Sequence, residues 1–175
     1  LSREEEAGKL RGMQLSGLLP LRVTHNDTKL NNVILDRATR KALCIIDLDT
    51  VMPGLSLYDY GDSIRFGAAT AAEDERDLSK MEMDLDLFRT YTAGYVKSCP
   101  SLTEAERKAL PWGAKIMTLE CGLRFLTDYL DGDRYFAIDR EKQNLDRART
   151  QLKLVEDMEA KWDMMREIIN EEALL

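Results

Sequence analysis

Histidine occurs once in this chain of 175 residues, at His25, and cysteine three times, at Cys44, Cys99 and Cys121. Three widely separated cysteines give neither the ligand spacing of a zinc site nor a disulfide framework. Buried free thiols in a reducing, cytoplasmic compartment are expected instead. No apolar run approaches the roughly 20 residues that a membrane-spanning helix requires. The opening Leu1-Ser2-Arg3-Glu4-Glu5-Glu6 is acidic and polar, so a signal peptide is not expected of it, and it carries no initiator Met. The sequence also lacks internal repeats, low-complexity tracts and a Pro/Gly linker that would divide it into two domains. Its 25 Lys and Arg are scattered and outnumbered by 32 Asp and Glu, for a formal net charge of −7. Nucleic acid and anionic membrane surfaces are therefore poor partners. A polyanionic substrate stays compatible, provided that metal ions and local cations offset the acidic groups.

What is present suits one ordinary globular domain, with 44% apolar and 33% charged residues. A chain of this length buries roughly 70% of its unfolded surface. The segment from about Arg3 to Leu15 is free of proline and β-branched residues and reads as a helix closed by Gly17 and Pro20. Asn32–Leu35 and Leu43–Asp47 are short apolar runs around the polar Asp36–Lys41, the pattern of a hairpin. Val51-Met52-Pro53-Gly54 reads as a loop, because Pro and Gly adjoin there. Met83, Leu87, Tyr91, Gly94 and Tyr95 step at helical spacing. Thr103-Glu104-Ala105-Glu106 fits a capping box. Pro111 is expected to break or kink the helix it opens, with a second helix striped by Leu119, Leu123, Leu126 and Leu130. A last long helix carries Leu145, Ala148, Leu152, Val155, Trp162, Met165 and Ile169 on one side. These stripes and the eight Met residues read as core. The fold class is α+β, mostly α, with one small hairpin near the start.

The chemistry is concentrated in Thr24-His25-Asn26-Asp27-Thr28-Lys29-Leu30-Asn31-Asn32, followed after the hairpin by Ile45-Ile46-Asp47-Leu48-Asp49. His25, Asp27 and Asn32 stand at H-x-D-x-x-x-x-N, the spacing of the kinase catalytic loop. Phosphoryl transfer needs the attacking and leaving oxygens in line and the phosphate charge neutralised, commonly by magnesium. Magnesium takes one or two protein oxygens and completes its shell with phosphate and water. A further carboxylate must stay available for the proton of the acceptor hydroxyl. Asp27, Asn32 and Asp47 supply one proton acceptor and two metal ligands, and the hairpin returns Asp47 to the neighbourhood of Asn32. His25 reads as a residue that bonds backbone and holds the loop.

These segments resemble the aminoglycoside phosphotransferase and choline kinase superfamily, which shares the protein-kinase fold and phosphorylates small molecules. Asp47-Leu48-Asp49 stands where protein kinases would show Asp-Phe-Gly, and there is no Ala-Pro-Glu segment. More narrowly, the catalytic loop, Ile46–Gly54, Tyr58–Gly67 and Glu120–Leu130 are similar to the N-acetylhexosamine 1-kinase subgroup, a resemblance that runs from about Arg22 to Trp162. It implies that Asp27 is the catalytic base, that Asn32 and Asp47 bind Mg2+, and that Asp49 assists the metal through water. It further implies that Lys29 contacts the transferred phosphate, and that Asp59 braces the catalytic loop through backbone N–H groups. A solvated surface lysine is the alternative for Lys29.

A sugar acceptor calls for carboxylates and planar cations, which makes Arg65, Arg124 and Asp128 candidate substrate ligands. Arg124 and Asp128 lie four apart on one helix face with Glu120 a turn earlier, a spacing that a surface ion-pair row also explains. The resemblance implies ATP and a small-molecule acceptor, an amino sugar, as partners. Choline, homoserine or an aminoglycoside are alternative acceptors, and a non-catalytic pseudokinase is an alternative of another class. Only 24 residues precede His25, too few for the sheet lobe with its Gly-rich loop and Val-Ala-x-Lys strand. The chain is therefore expected to be a single C-terminal lobe without its nucleotide-gripping N-terminal lobe, with little or no turnover alone.

Overall fold

Glycine sets the shape of the opening segment. In the computed structural model, which describes residues 3–173, helix α1 spans Glu4–Ala7 and helix α2 spans Lys9–Leu15, so the single expected helix is divided at Gly8. Helix α2 then ends at Gly17, whose φ of 79° lets Gly17 N–H reach Gln14 C=O and Leu18 N–H reach Met13 C=O. That pair of bonds is the Schellman closure that a left-handed residue permits.

Strand β1 (Arg22–Thr24) pairs antiparallel with a segment read as a loop: Met52–Gly54 forms a strand, with Val23 opposite Pro53. The sheet has two strands, so Pro53 lies on an edge, where a missing N–H breaks no interior ladder. Between them, β2 (Val33–Leu35) and β3 (Ala42–Ile45) form the expected hairpin, with Val33 opposite Ile45, and the Met52–Gly54 strand becomes β4. Asp36 organises the turn by accepting from Thr39 N–H at 2.6 Å and Thr39 Oγ1 at 2.7 Å. Ile34, Leu35, Leu43, Ile45 and Ile46 all remain exposed on this hairpin, and so do Val23 on β1 and Met52 on β4.

The rest is helical: α3 (Ser56–Gly67), α4 (Leu85–Ser98), α5 (Glu104–Leu130), α6 (Gln143–Ala160) and α7 (Trp162–Ala173). Helix α5 is the axis against which α3, α6 and α7 pack. At the crossing of α3 and α5 the backbones touch. A Cβ on Gly61 would lie 2.2 Å from the Gly113 carbonyl oxygen, and one on Gly113 2.6 Å from that of Leu57. The expected capping box is formed, with Thr103 Oγ1 accepting from Glu106 N–H and the Glu106 carboxylate from Thr103 N–H. Pro111 does not divide the helix, which runs unbroken from Glu104 to Leu130. A mid-helix proline forfeits roughly 3 kcal/mol, but Ala109, Leu110, Pro111 and Ala114 are all buried, so packing holds the helix together through it.

Other periodicities resolve differently from their sequence reading. On α4 the buried residues are Phe88, Thr92 and Val96, while Leu87 and Tyr91 are 46% and 37% exposed. Met83 precedes that helix and is buried through its bridge to Ala69. Along α5 the leucine stripe is not the core side: Leu119 is buried, but Leu123 and Leu130 are exposed, and Thr118, Cys121, Gly122 and Phe125 face inward. The last helix is two, separated at Lys161. Met81, Met83, Met158 and Met165 are core, whereas Met52 and Met164 are exposed. Of the three thiols, Cys121 is buried, Cys99 half-buried and Cys44 exposed, which corrects the expectation that all are buried. Among the described residues no helix is long and apolar enough to cross a membrane.

Candidate active site

The pairing of β1 with β4, and the start of α3, together fix the loop that follows β1. Asp59 in the first turn of α3 accepts from the backbone N–H of His25 at 2.9 Å and of Asn26 at 2.8 Å. This holds Asn26 at a left-handed φ of 64°. Thr50 Oγ1 donates to His25 C=O at 2.6 Å, and Asn26 Nδ2 donates to Thr50 C=O at 3.0 Å. Thr28 is held from both ends, its Oγ1 donating to Asp59 C=O and its C=O accepting from Ser63 Oγ. His25 takes the bonding position read from the sequence. Its Nδ1 accepts from Asp27 N–H at 3.2 Å, so Nε2 carries the hydrogen and donates to Ile46 C=O at 3.0 Å.

That network presents Asp27 with one oxygen engaged. Its Oδ2 accepts from Lys29 Nζ at 2.8 Å and Asn32 Nδ2 at 2.7 Å. Among the described residues no donor reaches Oδ1. Partial burial pushes this carboxyl upward, but the Lys29 ammonium and the Asn32 amide outweigh burial and hold it below its ordinary value. Asn32 Nδ2 also donates to Asp27 C=O at 2.8 Å. Both partners of that nitrogen are oxygens, so the amide orientation is forced, and Oδ1 of Asn32 is directed away from Asp27.

The hairpin delivers Asp47 as expected. Ile46 N–H donates to Asn32 C=O at 3.0 Å, which places Asp47 one residue beyond a direct backbone bond to Asn32. Asp47 adopts a left-handed φ of 66° at the head of a short 3-10 turn, Leu48–Thr50. Asp47 and Asp49 are exposed, and among the described residues neither has a side-chain bonding partner. Among those residues no group of three or more His, Cys, Asp or Glu is arranged to hold a metal alone. An amide oxygen and a carboxylate without donors do fit a hard cation that draws its other ligands from phosphate and water.

Asp27 and Lys29 line a cavity of about 470 Å3, together with Asp62, Arg65, Glu73, Glu120, Arg124 and Arg147 among its charged groups. Arg65 is buried, and its Nε and Nη1 donate to Asp62 at 2.8 Å and Glu73 at 2.6 Å. Arg124 is half in solvent, 3.7 Å from Glu120, with its guanidinium 5.3 Å from the Phe136 ring centroid and 5.8 Å from that of Tyr135. Burial raises the Glu120 carboxyl above its ordinary value, against the pull of Arg124 and Arg65. Cys121 also lines the cavity, but burial pushes its thiol up to about 12, so it stays protonated and unreactive.

Asp128 does not line this cavity. Its Oδ1 accepts from the N–H groups of Arg134 and Tyr135, and its Oδ2 from Phe136 N–H and Asn144 Nδ2, all between 2.8 and 3.0 Å. A carboxylate taken up by four donors has no capacity left for a ligand hydroxyl, and the sequence expectation for it is replaced by a structural role. Asp62, Glu73, Arg147 and the aromatic pair Tyr135–Phe136 also line the cavity and were not singled out from the sequence. Glu73 and Arg147 lie in segments with no motif. Glu120 had a signal in its i, i+4 relation to Arg124. A second cavity, about 650 Å3, adjoins along Glu120, Arg124, Tyr135 and Phe136 and is lined by Asp128 as well, but by none of residues 24–32.

Residues 3–95, more than half of the chain, match the sequence model of the phosphotransferase enzyme family, APH.

Proposed function

The chain belongs to the APH phosphotransferase family, and from that premise we propose that it is the acceptor-binding, catalytic lobe of a kinase that phosphorylates the anomeric hydroxyl of an N-acetylhexosamine. Membership itself implies phosphotransfer from ATP to a small-molecule acceptor. The observation that carries the mechanism is Asp27: one oxygen is bonded to Lys29 and Asn32, the other has no donor, and the residue lines a cavity large enough for a sugar. Asp27 accepts the acceptor's proton as the hydroxyl oxygen bonds to the γ-phosphorus, while the bond from that phosphorus to the bridging oxygen breaks and ADP leaves. Lys29, 2.8 Å from Asp27, positions a positive charge beside the transferred phosphoryl group. Asn32 Oδ1 and Asp47 would hold Mg2+, with Asp49 behind them through water, and the ion would supply neutralisation of phosphate charge.

Charge and aromatic geometry favour a neutral sugar over the other acceptors. Four carboxylates (Asp27, Asp62, Glu73, Glu120) and four cations (Lys29, Arg65, Arg124, Arg147) line the cavity, so it is not the strongly acidic cleft that a polycationic aminoglycoside needs. An aromatic cage for choline needs free ring faces. Here guanidinium groups already sit over them, Arg124 over Tyr135 and Phe136, and Arg147 at 5.5 Å from Phe125. Arg124 and Glu120 are the side chains best placed to bond sugar hydroxyls, and Arg65 acts by holding Asp62 and Glu73 in the wall.

We infer also that a nucleotide-gripping lobe packs on the exposed apolar hairpin. Ile34, Leu35, Leu43, Ile45 and Ile46 form a surface that a solvated domain would not maintain without a partner. The test is phosphate transfer by the intact protein across a panel of N-acetylhexosamines, choline and aminoglycosides. Sugar 1-phosphate is expected, with Asp27→Asn lowering kcat by roughly 10²–10⁴-fold. Transfer to a different acceptor would discard the sugar, and an Asp27→Asn variant as active as wild type would discard the assigned base.

A further inference from the structure

The ten residues 133–142, between the Asp131–Gly132 turn and α6, need only connect α5 to α6, yet buried polar side chains hold them at many points. Asp128 is 7% exposed, Gln143 6% and Asn144 0%, all polar and all directed at this loop. Asp128 gathers the three consecutive N–H groups of Arg134, Tyr135 and Phe136. Asn144 Nδ2 spans Asp128 and Asp133 at 2.9 Å each. Gln143 Oε1 accepts from Asp139 N–H, and Arg147 Nη1 bonds both Ala137 C=O and Asn144 Oδ1. Burying polar groups at this density is costly unless every bond is made, and bonds of this kind fix geometry more than they add stability.

The stretch that they fix is the part of the loop that faces the site. Tyr135, Phe136 and Ala137 line the cavity that holds Asp27, and Tyr135 and Phe136 set the ring faces under Arg124. We propose that Asp128, with Asn144, is a positioning residue that holds Tyr135–Ala137 as the acceptor-facing wall and thereby aims Arg124, so that acceptor affinity depends on a carboxylate that never touches the acceptor. This rests on the phosphotransfer reading of the cavity.

In the intact enzyme, Asp128→Asn replaces two accepting oxygens by one and turns an NH2 toward N–H groups, which releases the wall. The expected result is a rise of roughly 10–100-fold in acceptor KM, the size of one or two lost polar contacts to the acceptor, with kcat and ATP KM within about twofold of wild type, the pattern of lost uniform binding. Asn144→Ser, which removes the Nδ2 bonds to Asp128 and Asp133 and the Oδ1 bond from Arg147 but leaves the three backbone bonds to Asp128, is expected to show a smaller rise of the same kind, and is decisive if Asp128→Asn does not fold. Tyr135→Ala, at an exposed side chain, is expected to reproduce the KM effect without change in thermal stability. An unchanged acceptor KM in folded Asp128→Asn or Asn144→Ser, or a fall in kcat alone, would overturn the inference. A wild-type enzyme that transfers phosphate to no acceptor would instead remove the functional reading on which it stands.

Discussion

On Asp27 two effects of opposite sign act on one carboxyl: burial favours the neutral acid, while Lys29 and Asn32 favour the anion and win. A carboxyl held below the ordinary range is ionised throughout neutral pH, so with Asp27 as the proposed base the acid limb of kcat/KM should begin below that range. Lys29 supplies the largest of the effects that lower it. Lys29→Met is therefore expected to reduce kcat and also to move the acid limb to higher pH, measured as a kcat/KM profile carried from neutral pH down to about pH 3, below the ordinary carboxylate range. An acid limb that stays in place while kcat falls would limit Lys29 to the phosphate. These residues were legible because the loop is local: nine consecutive positions, Thr24–Asn32, carry Asp27, Lys29 and Asn32. The acceptor wall was not. Glu73, Glu120, Tyr135 and Arg147 come to line the same cavity as Asp27 from two loops and two helices far apart in sequence, and no spacing rule encodes that. Asp128 was misread because its separation of four from Arg124 puts both on one helix face, yet a later loop folds over that face and takes its carboxylate.

Among the elements, Glu106 ties three together. From the first turn of α5 its carboxylate accepts from Arg22 of β1 at 3.0 and 2.7 Å, from Ser56 Oγ at the start of α3 at 2.8 Å, and from Thr103 N–H at 2.7 Å. Burial pushes Glu106 up, but these donors overcome it and bring the carboxyl down to about 2. Its unfolded value is about 4.3, so the stabilisation is complete above that pH and is lost as pH falls from there toward 2. Glu159, also lowered to about 2 through Arg3 and Lys115, acts in the same window. Glu106→Gln is expected to flatten the pH dependence of unfolding free energy between pH 4 and 2 and to lower stability at pH 7 by on the order of 1–3 kcal/mol, measured by urea unfolding at several pH values. An undiminished slope would place the acid sensitivity elsewhere. The capping box at Thr103 and the hairpin around Asp36 were readable because their signals lie within a few residues. The continuity of α5 through Pro111 and the pairing of Pro53 with Val23 were not, since in both cases tertiary burial or an edge position overrode a local breaker.

For the whole molecule, the helical part is closed on its own core while the β elements are not. Core side chains such as Leu57, Tyr60, Ile64, Leu110, Leu154 and Met158 are fully enclosed between helices, whereas the hairpin presents apolar residues on both faces. A two-stranded hairpin with exposed apolar faces is marginal alone and invites pairing with another surface. The 175-residue chain studied by itself is therefore expected to self-associate through β2 and β3. Leu43→Lys with Ile45→Lys, two positions on one face of β3 at 64% and 58% exposure, should make it monomeric without lowering its melting temperature by more than a degree or two. Sedimentation velocity with and without the substitutions measures this directly. If a kinase-type lobe covers the same face in the intact enzyme, the double variant should there raise the KM for ATP, because the lobe that grips the nucleotide would be docked less firmly. Monomeric wild-type chain, with no effect of the lysines on the intact enzyme, would mean that the hairpin stays in water and that no lobe docks on it.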